Sequence, residues 1–530
     1  MFRSTLLTAL ILLTAFVAKT QNTISGNIYT SDGKPAESVQ VEIKELHKVI
    51  TCNAGGNFEF TGLPDGSFHI IASLTGLQTK EQQVSVANHQ TAQVNFTLSE
   101  DARELQEVMV NSRRSFNNQL LSVGKAPIDP MDLPQSISVI GQASIKEQQA
   151  QRLSDVIRNV NGVYLAGARA STQETFYARG YNFSSNNMFK NGSRVNTGSF
   201  PEMSSLERVE VLKGSAAILY GNVAPGGIIN MVTKQPKFNS GGEVSLRSGS
   251  YGLIKPSVDF YGPLSGKMAY RVNGTYEKAD SYRDGVSSER FYINPSLLFK
   301  FNSRTSLLLQ GDYLNHDFTP DFGIGSLADT LIPDVPRSRF MGTNWQYNQA
   351  QQATAAATLK HALNDEWNIT GNFSYQNYQR DYYGVERIQA KANGDWARPL
   401  GKIKNREDYL IANIDVTGKF NSGKIGHTLL AGIDADRYYT TAFTYDIAGK
   451  IYDTLNLLNP SKFIQRTDIP VATALTRTAT PVNRMGAYVQ DLISLSDKLK
   501  VLAGVRWSMQ QSEAVQTNYL VKDSIGKGKS

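Results

Sequence analysis

The chain has 530 residues, one cysteine, 43 glycines, 10% aromatics and a formal charge of +7. At roughly 100–200 residues per domain, this length implies several domains or one very large fold, and the lone Cys52 excludes a disulfide scaffold or a zinc cluster built on several thiolates. Beyond the first two dozen residues no apolar run approaches the roughly 20 residues of a membrane helix, and no block of like charge supports nucleic-acid binding.

Met1-Phe2-Arg3, an apolar stretch from Leu6 to Val17 and the exit Ala18-Lys19-Thr20 have the pattern of a secretory signal, expected over residues 1–20. The mature chain is then expected outside the cytoplasm. Residues 21–98 read as a small β-sandwich. Ile24, Gly26 and Ile28 open a strand, Ser31 to Pro35 make a turn, and Val39, Val41 and Ile43 alternate. Phe58 and Phe60 share one face, and Leu63-Pro64-Asp65-Gly66 turns the chain again. The segment resembles the carboxypeptidase-regulatory-like domain. Its His47, His69 and His89 lack metal-ligand spacing and read as surface or turn residues.

Residues 99–114 are polar around a short apolar core of Leu105 and Glu107-Val108-Met109-Val110. This core could add a strand to a partner's sheet edge through main-chain hydrogen bonds; an ordinary linker strand is the plain alternative. Residues 115–236 read as mixed α/β. A short helix from Ser154 to Val160 stops at Asn161-Gly162, Val209–Leu212 is a strand, and Ala216–Tyr220 a helical turn closed by Gly221. Pro225-Gly226-Gly227 then turns into a strand from Ile228 to Thr233.

From about residue 243 the period becomes two. Leu410, Ala412, Ile414 and Val416 alternate with Asn413, Asp415, Thr417 and Lys419, and similar alternation surrounds Tyr270, Ile369 and Val501. Tight turns near 264–267, 302–304, 364–366, 421–424 and 496–498 separate longer segments near 279–289, 316–350, 382–406 and 441–483. Short turns on one side, long loops on the other and strands of about 10 residues are the pattern of an outer-membrane barrel. About 11 strands are expected between Glu243 and Gln510, after which a loop would begin.

A domain of about 120 residues is about 35 Å across. A barrel of 11 or 12 strands, spaced about 4.8 Å and tilted about 40°, encloses only about 24 Å, and 22 strands enclose about 44 Å. The 115–236 zone therefore fits as a plug only in the larger barrel, so the expected fold is mainly β: a sandwich, an α/β plug and an incomplete antiparallel transmembrane barrel over 237–530, with about 11 of 22 strands.

These zones together resemble a TonB-dependent outer-membrane receptor of the ferric-siderophore type. The resemblance rests on Pro127 to Ile140 and on Tyr177-Ala178-Arg179-Gly180-Tyr181. It continues through Leu206 to Gly214, Leu219-Tyr220-Gly221, Pro225 to Lys234, and Gly486 to Asp491 with Gly504-Val505-Arg506. Departures are Asn191-Gly192 in place of "DG", Trp507-Ser508 in place of "Y-D", and no terminal aromatic strand. The resemblance implies import of a ferric siderophore energised by TonB and its inner-membrane complex, with outer-membrane lipid around the barrel. No cofactor is implied, since iron travels as the chelate.

It further implies that Leu105, Glu107, Val108, Met109 and Val110 form the TonB box. Arg169, Tyr181, Ser184, Asn186 and Phe200 would be apical ligand contacts; Arg179, Glu207, Arg208, Glu210 and Lys213 would make plug–barrel polar contacts, or static internal salt bridges. Rival substrates are cobalamin, haem or a glycan, and a rival class is a non-transporting adhesin or porin. Catalysis has little support. Gly418 to Lys424 fits a phosphate-loop spacing, but Ile425 replaces the needed hydroxyl, and neither H-E-x-x-H nor a nucleophile elbow is present.

Overall fold

The computed structural model describes residues 22–98 and 121–518, less 32, 47, 75, 76, 78, 89, 170–172, 184, 197 and 497, together with the backbone of 525–529. The signal segment and the 99–114 linker lie outside the described residues. Two compact units meet at Arg114 and Ser115 in the chain.

The first unit is a sandwich of two sheets. One pairs Asn57–Leu63, Asn22–Thr30 and Thr91–Gln93, with Phe96–Leu98 also on the Asn22–Thr30 strand; the other orders Lys48–Thr51, Gln40–Ile43, Gly66–Ser73 and Lys80–Val86. Alternate residues point inward because successive strand side chains face opposite ways, and Ile24, Ile28, Val41, Ile43, Phe58, Phe60, Ile70 and Phe96 close a shared core. Cys52 is part of this core: its Sγ donates to the Ala36 carbonyl at 2.9 Å and accepts from the Val39 N–H at 3.2 Å. His69 is on the exposed face, its Nδ1 2.6 Å from Glu45; His47 and His89 are outside the described residues.

The second unit begins with a plug. Its main sheet orders Ser193–Arg194, Met188–Lys190, Gly227–Thr233, Leu206–Lys213 and Ser136–Gly141. A smaller sheet joins Val163–Arg169, Gln173–Ala178 and Tyr181–Phe183. Every residue of Gly227–Thr233 is buried, since both faces of the main sheet are covered. On one face Ile140, Val209, Val211 and Ile229 meet the helices Gln142–Glu147 and Leu153–Ile157. On the other, Leu212 and Ile228 pack under the incoming segment of Leu121, Val123, Ala126 and Ile128, and these meet Leu430, Tyr488 and Leu492 of the wall. Gly227 starts its strand at φ +132°, where an added Cβ would lie 2.1 Å from the Leu212 carbonyl oxygen, so the turn needs glycine there.

The wall is one antiparallel sheet in which 12 strands pair in chain order, from Gly241–Gly249 to Ile525–Lys529. The sheet is not closed on itself. Eleven of these strands lie between Gly241 and Asn518, matching the strand count expected from sequence, and the tight turns fall where expected. The long-loop side differs: Ile425–Ile447, Ile451–Asn456 and Ala472–Ser494 take up more than half of the expected loop at 441–483. Trp367–Val385 and Asp395–Ser422 continue as strands well beyond their apolar alternation, so most of the expected loop at 382–406 is paired sheet. The expected loop after Gln510 is also displaced, because Lys500–Asn518 runs on and pairs with Ile525–Lys529.

In the sandwich, a Cβ on Gly26 would sit 1.7 Å from the Val94 carbonyl oxygen. Gly26→Ala is therefore expected to open the first unit to limited proteolysis while the second unit stays resistant; equal resistance of both units would contradict this packing.

Candidate functional site

The lumen-facing residues of the wall are set by strand parity, and they are polar. Lys255, Glu277, Arg290, Asp312 and Asp415 are buried against the plug. A buried charge is costly unless it is paired, and each finds its partners across or along the plug–wall boundary.

The largest cluster joins strands Leu253–Ser265, Met268–Asp280 and Ser287–Lys300 to two plug loops. Lys255 Nζ lies 3.1 Å from Glu202 and 2.9 Å from Glu277. Arg152 Nη2 donates to Glu277 at 2.8 Å, and its guanidinium lies 5.1 Å from the centre of the Phe200 ring. Arg290 is 1% exposed, donates to the Phe200 carbonyl and lies 3.6 Å from Glu202. Burial alone would push the Glu202 carboxyl up; Lys255 and Arg290 outweigh it and hold the group below the usual carboxylate range.

Two further plug lysines dock on wall carboxylates. Lys190 Nζ donates to Asp312 at 2.8 Å with Tyr292 beside it. Burial would lower this ammonium, but Asp312 and Tyr292 prevail and raise it above the ordinary lysine value. Lys125, in the plug's first described segment, donates to Tyr488 at 2.6 Å, lies 3.9 Å from Asp415 and sits over the Tyr488 ring. Here burial wins and the pKa falls, with Asp415 and Asp434 offsetting it only in part.

That same segment is held from the plug side by Glu210. This fully buried carboxylate accepts from the Ser122 and Val123 N–H groups at 3.1 and 2.8 Å, from the Ser122 hydroxyl at 2.7 Å and from Arg208 Nε at 2.7 Å. Asn230 Nδ2 adds a donor at 3.1 Å.

Three of the expected plug–barrel residues have partners inside the plug, the alternative the sequence left open. Arg208 and Glu210 bond within the plug, and Lys213 Nζ reaches the Asn161 carbonyl at 3.1 Å, also within the plug. Arg179 and Glu207 have no wall partner among the described residues. The wall is engaged instead by Lys125, Arg152, Lys190, Glu202 and Asn196, the last donating to Glu407. Sequence reasoning missed these because the partners are far apart in the chain. The available signal was charge at lumen-facing positions of alternating strands.

Of the expected ligand contacts, Tyr181, Asn186 and Phe200 have described side chains. Arg169 ends the strand Val163–Arg169, and its side chain, like Ser184, is outside the described residues. Tyr181 is 47% exposed at the start of Tyr181–Phe183, and Asn186 lies in the turn Ser185–Asn187. Phe200 is 8% exposed, wedged between Arg152 and His316, because its loop is clamped to the wall by Arg290 and by Tyr378, whose hydroxyl donates to the Gly198 carbonyl at 3.2 Å. The TonB-box residues Leu105, Glu107, Val108, Met109 and Val110 are outside the described residues. Among the described residues no group of three or more His, Cys, Asp or Glu side chains could hold a metal, and no helix is long and apolar enough to cross a membrane.

A polar-lined antiparallel wall with a folded domain seated against it defines a plugged outer-membrane β-barrel. Comparison with known proteins agrees. Residues 129–228 match the TonB-dependent receptor plug domain, 291–526 the TonB-dependent receptor-like β-barrel, and 24–110 the CarboxypepD_reg-like domain. The chain thus carries a TonB-dependent receptor plug domain and receptor-like β-barrel strands after a CarboxypepD_reg-like domain, an architecture of the outer membrane.

Relatives include the metal-pseudopaline receptor CntO of Pseudomonas aeruginosa PAO1, 27% identical over 72% of this chain and 54% of CntO. Another is the catecholate siderophore receptor Fiu of Escherichia coli K12, 26% identical over 72% of this chain and 53% of Fiu. Among solved structures, the siderophore receptor PiuA of Acinetobacter baumannii shares the fold with a TM-score of 0.70 at 24% identity, covering 78% of this chain and 63% of PiuA. The chain spans about half the length of the curated relatives it matches.

Removing one member of a buried ion pair typically costs about 3–5 kcal/mol. Lys255→Met, which removes the cation shared by Glu202 and Glu277, is expected to raise protease cleavage of the plug in detergent-solubilised protein. Adding Glu202→Gln should restore part of the protection; unchanged cleavage in the single variant would show that this cluster does not hold the plug.

Proposed function

We propose that the protein imports a ferric siderophore across the outer membrane, energised through TonB and the inner-membrane proton gradient. The observation that carries this reading is the polar seating of the plug: its contacts with strands 253–318 are ion pairs and hydrogen bonds. Net, such contacts contribute little compared with well-packed apolar surface, so water entering a loosened boundary can replace them. A porin with an open lumen has no need of a domain docked in this way.

The siderophore assignment draws on the names of the relatives, which include receptors for catecholate siderophores, ferric pyoverdine and metal-pseudopaline. Arg169, Tyr181, Ser184 and Asn186 are proposed as ligand contacts. A guanidinium offers several donors to the oxygen shell of a chelated ion, and the exposed Tyr181 ring offers apolar area. Phe200 supports this surface from beneath rather than meeting the ligand. Val108 and its neighbours are proposed to pair as a strand with TonB, transmitting a pull to the segment held by Lys125 and Glu210.

Cells expressing the gene should accumulate radiolabelled ferric siderophore, and Val108→Pro, which removes a main-chain donor, should abolish uptake while leaving ligand binding at the surface. Uptake that persists in the Val108→Pro protein would contradict the TonB-box assignment, and absence of uptake for catecholate, hydroxamate and mixed chelates alike would contradict the substrate class.

A further inference from the structure

Above the plug, the wall sorts charge by side. Tyr378 and Glu407 reach the plug, so the even positions of Trp367–Val385 and the odd positions of Asp395–Ser422 face the lumen, because successive strand side chains alternate. Glu407 pairs with Thr440, Thr440 with Thr480, and Thr478 with Gln516. The lumen face therefore continues on the even positions of Ile425–Ile447 and Lys500–Asn518, and on those of Ala472–Ser494 from Thr476 onward.

This face rises from the rings of Tyr409 and Tyr438, centred 4.6 Å apart, toward the long-loop side. Over these rows it carries Thr440, Thr444, Thr476, Thr478, Ser512 and Gln516. The Thr444 and Thr476 hydroxyls lie 2.6 Å apart across their strand pair. The same stretch of wall turned outward carries Lys402, Lys404, Arg406, Asp408, Arg437 and Arg477. Charge is thus accommodated at this height and is kept off the lumen side.

Two charges remain at the lumen positions of these rows, and they are of opposite sign. Glu407 accepts from Asn196 of the plug, from the Tyr438 hydroxyl at 2.5 Å and from Asn405 Nδ2 at 3.0 Å. Arg380 Nε donates to the Asn348 amide oxygen at 2.9 Å, and its guanidinium lies 5.4 Å from the centre of the Tyr382 ring. Just below, Arg484 and Arg506 are matched by Asp436 and Asp434 at 2.9 and 2.7 Å. The described vestibule therefore presents hydroxyls and amides with no net positive charge.

Resting on the transport reading above, we propose that the chelate carried is uncharged: a ferric trihydroxamate, in preference to a ferric tris-catecholate. Three hydroxamates cancel the charge of the ferric ion, whereas three catecholates leave a trianion. A trianion entering this vestibule would lose water without gaining a counter-charge, which is costly, and no cationic wall is present to draw it in. Threonine hydroxyls both donate and accept, so they can meet the carbonyl oxygens and the linker groups of a neutral chelate alike. Relatives such as Fiu are named for catecholates; the inference follows from the lining of this chain.

The test offers cells expressing the full gene a radioiron-labelled ferric trihydroxamate and a ferric tris-catecholate, reading surface binding and uptake. The trihydroxamate is expected to bind about tenfold more tightly, since the trianion would be buried unpaired, and its binding should not change with added salt. Thr440→Lys/Thr478→Lys should reverse the preference, and Arg477→Gln, on the outer face of the same strand, should leave it as it was. Should the double variant fail to reach the outer membrane, Thr444→Lys alone, at an exposed threonine, is expected to narrow the preference about threefold. Equal or tighter binding of the tris-catecholate, or a preference unmoved by the lysine variants, would overturn this inference and leave the transport reading standing. Uptake of no ferric chelate of any class would overturn the transport reading and this inference with it.

Discussion

Everything in the second unit depends on one constraint: a strand that crosses the membrane must pair all its backbone groups with neighbouring strands, which leaves only the side chains to distinguish lipid from lumen. Because successive side chains face opposite ways, one sequence writes two surfaces at once. Leu410, Ile414 and Ile433 are left outside, and Asp415, Asp312, Glu277 and Lys255 are forced inside, where the plug must satisfy them. The polarity of the plug's seat is thus a consequence of the wall's architecture.

The seat has two chemically distinct sectors. Against strands 253–318 the plug is held by ion pairs centred on Lys255, Glu202, Arg152 and Lys190. Against strands 425–494 it is held by a drier patch in which Leu121, Val123, Ala126 and Ile128 are sandwiched between the plug sheet and Leu430, Tyr488 and Leu492. The segment nearest the proposed tether is therefore also the filling between plug and wall in that sector. Glu210 ties it to the plug and Lys125 ties it to the wall, so displacing it breaks both sets of contacts together.

The architecture was largely legible in the sequence, and for a physical reason. Period-two alternation is a local signal, and Leu410, Ala412, Ile414 and Val416 alone reveal a strand with a greasy side. What was hidden is non-local. Arg152, Glu202, Lys255 and Glu277 meet across long separations without any spacing motif, while the motif that carries Arg208 and Glu210 left open whether they reach the wall or pair within the plug. The ends of Trp367–Val385 and Asp395–Ser422 that fall within 382–406 read as loop because, above the membrane, no apolar face is needed to keep a strand paired.

The central claim is that the segment carrying Lys125 must leave the wall for the receptor to work. Replacing Lys125 and Tyr488 by cysteine and bridging them with a short cross-linker that joins each thiol through a reducible disulfide tests it directly, since the native Cys52 is buried in the first unit. Uptake should stop in the bridged protein and return on reduction. Full-rate uptake through the bridged protein would contradict the account.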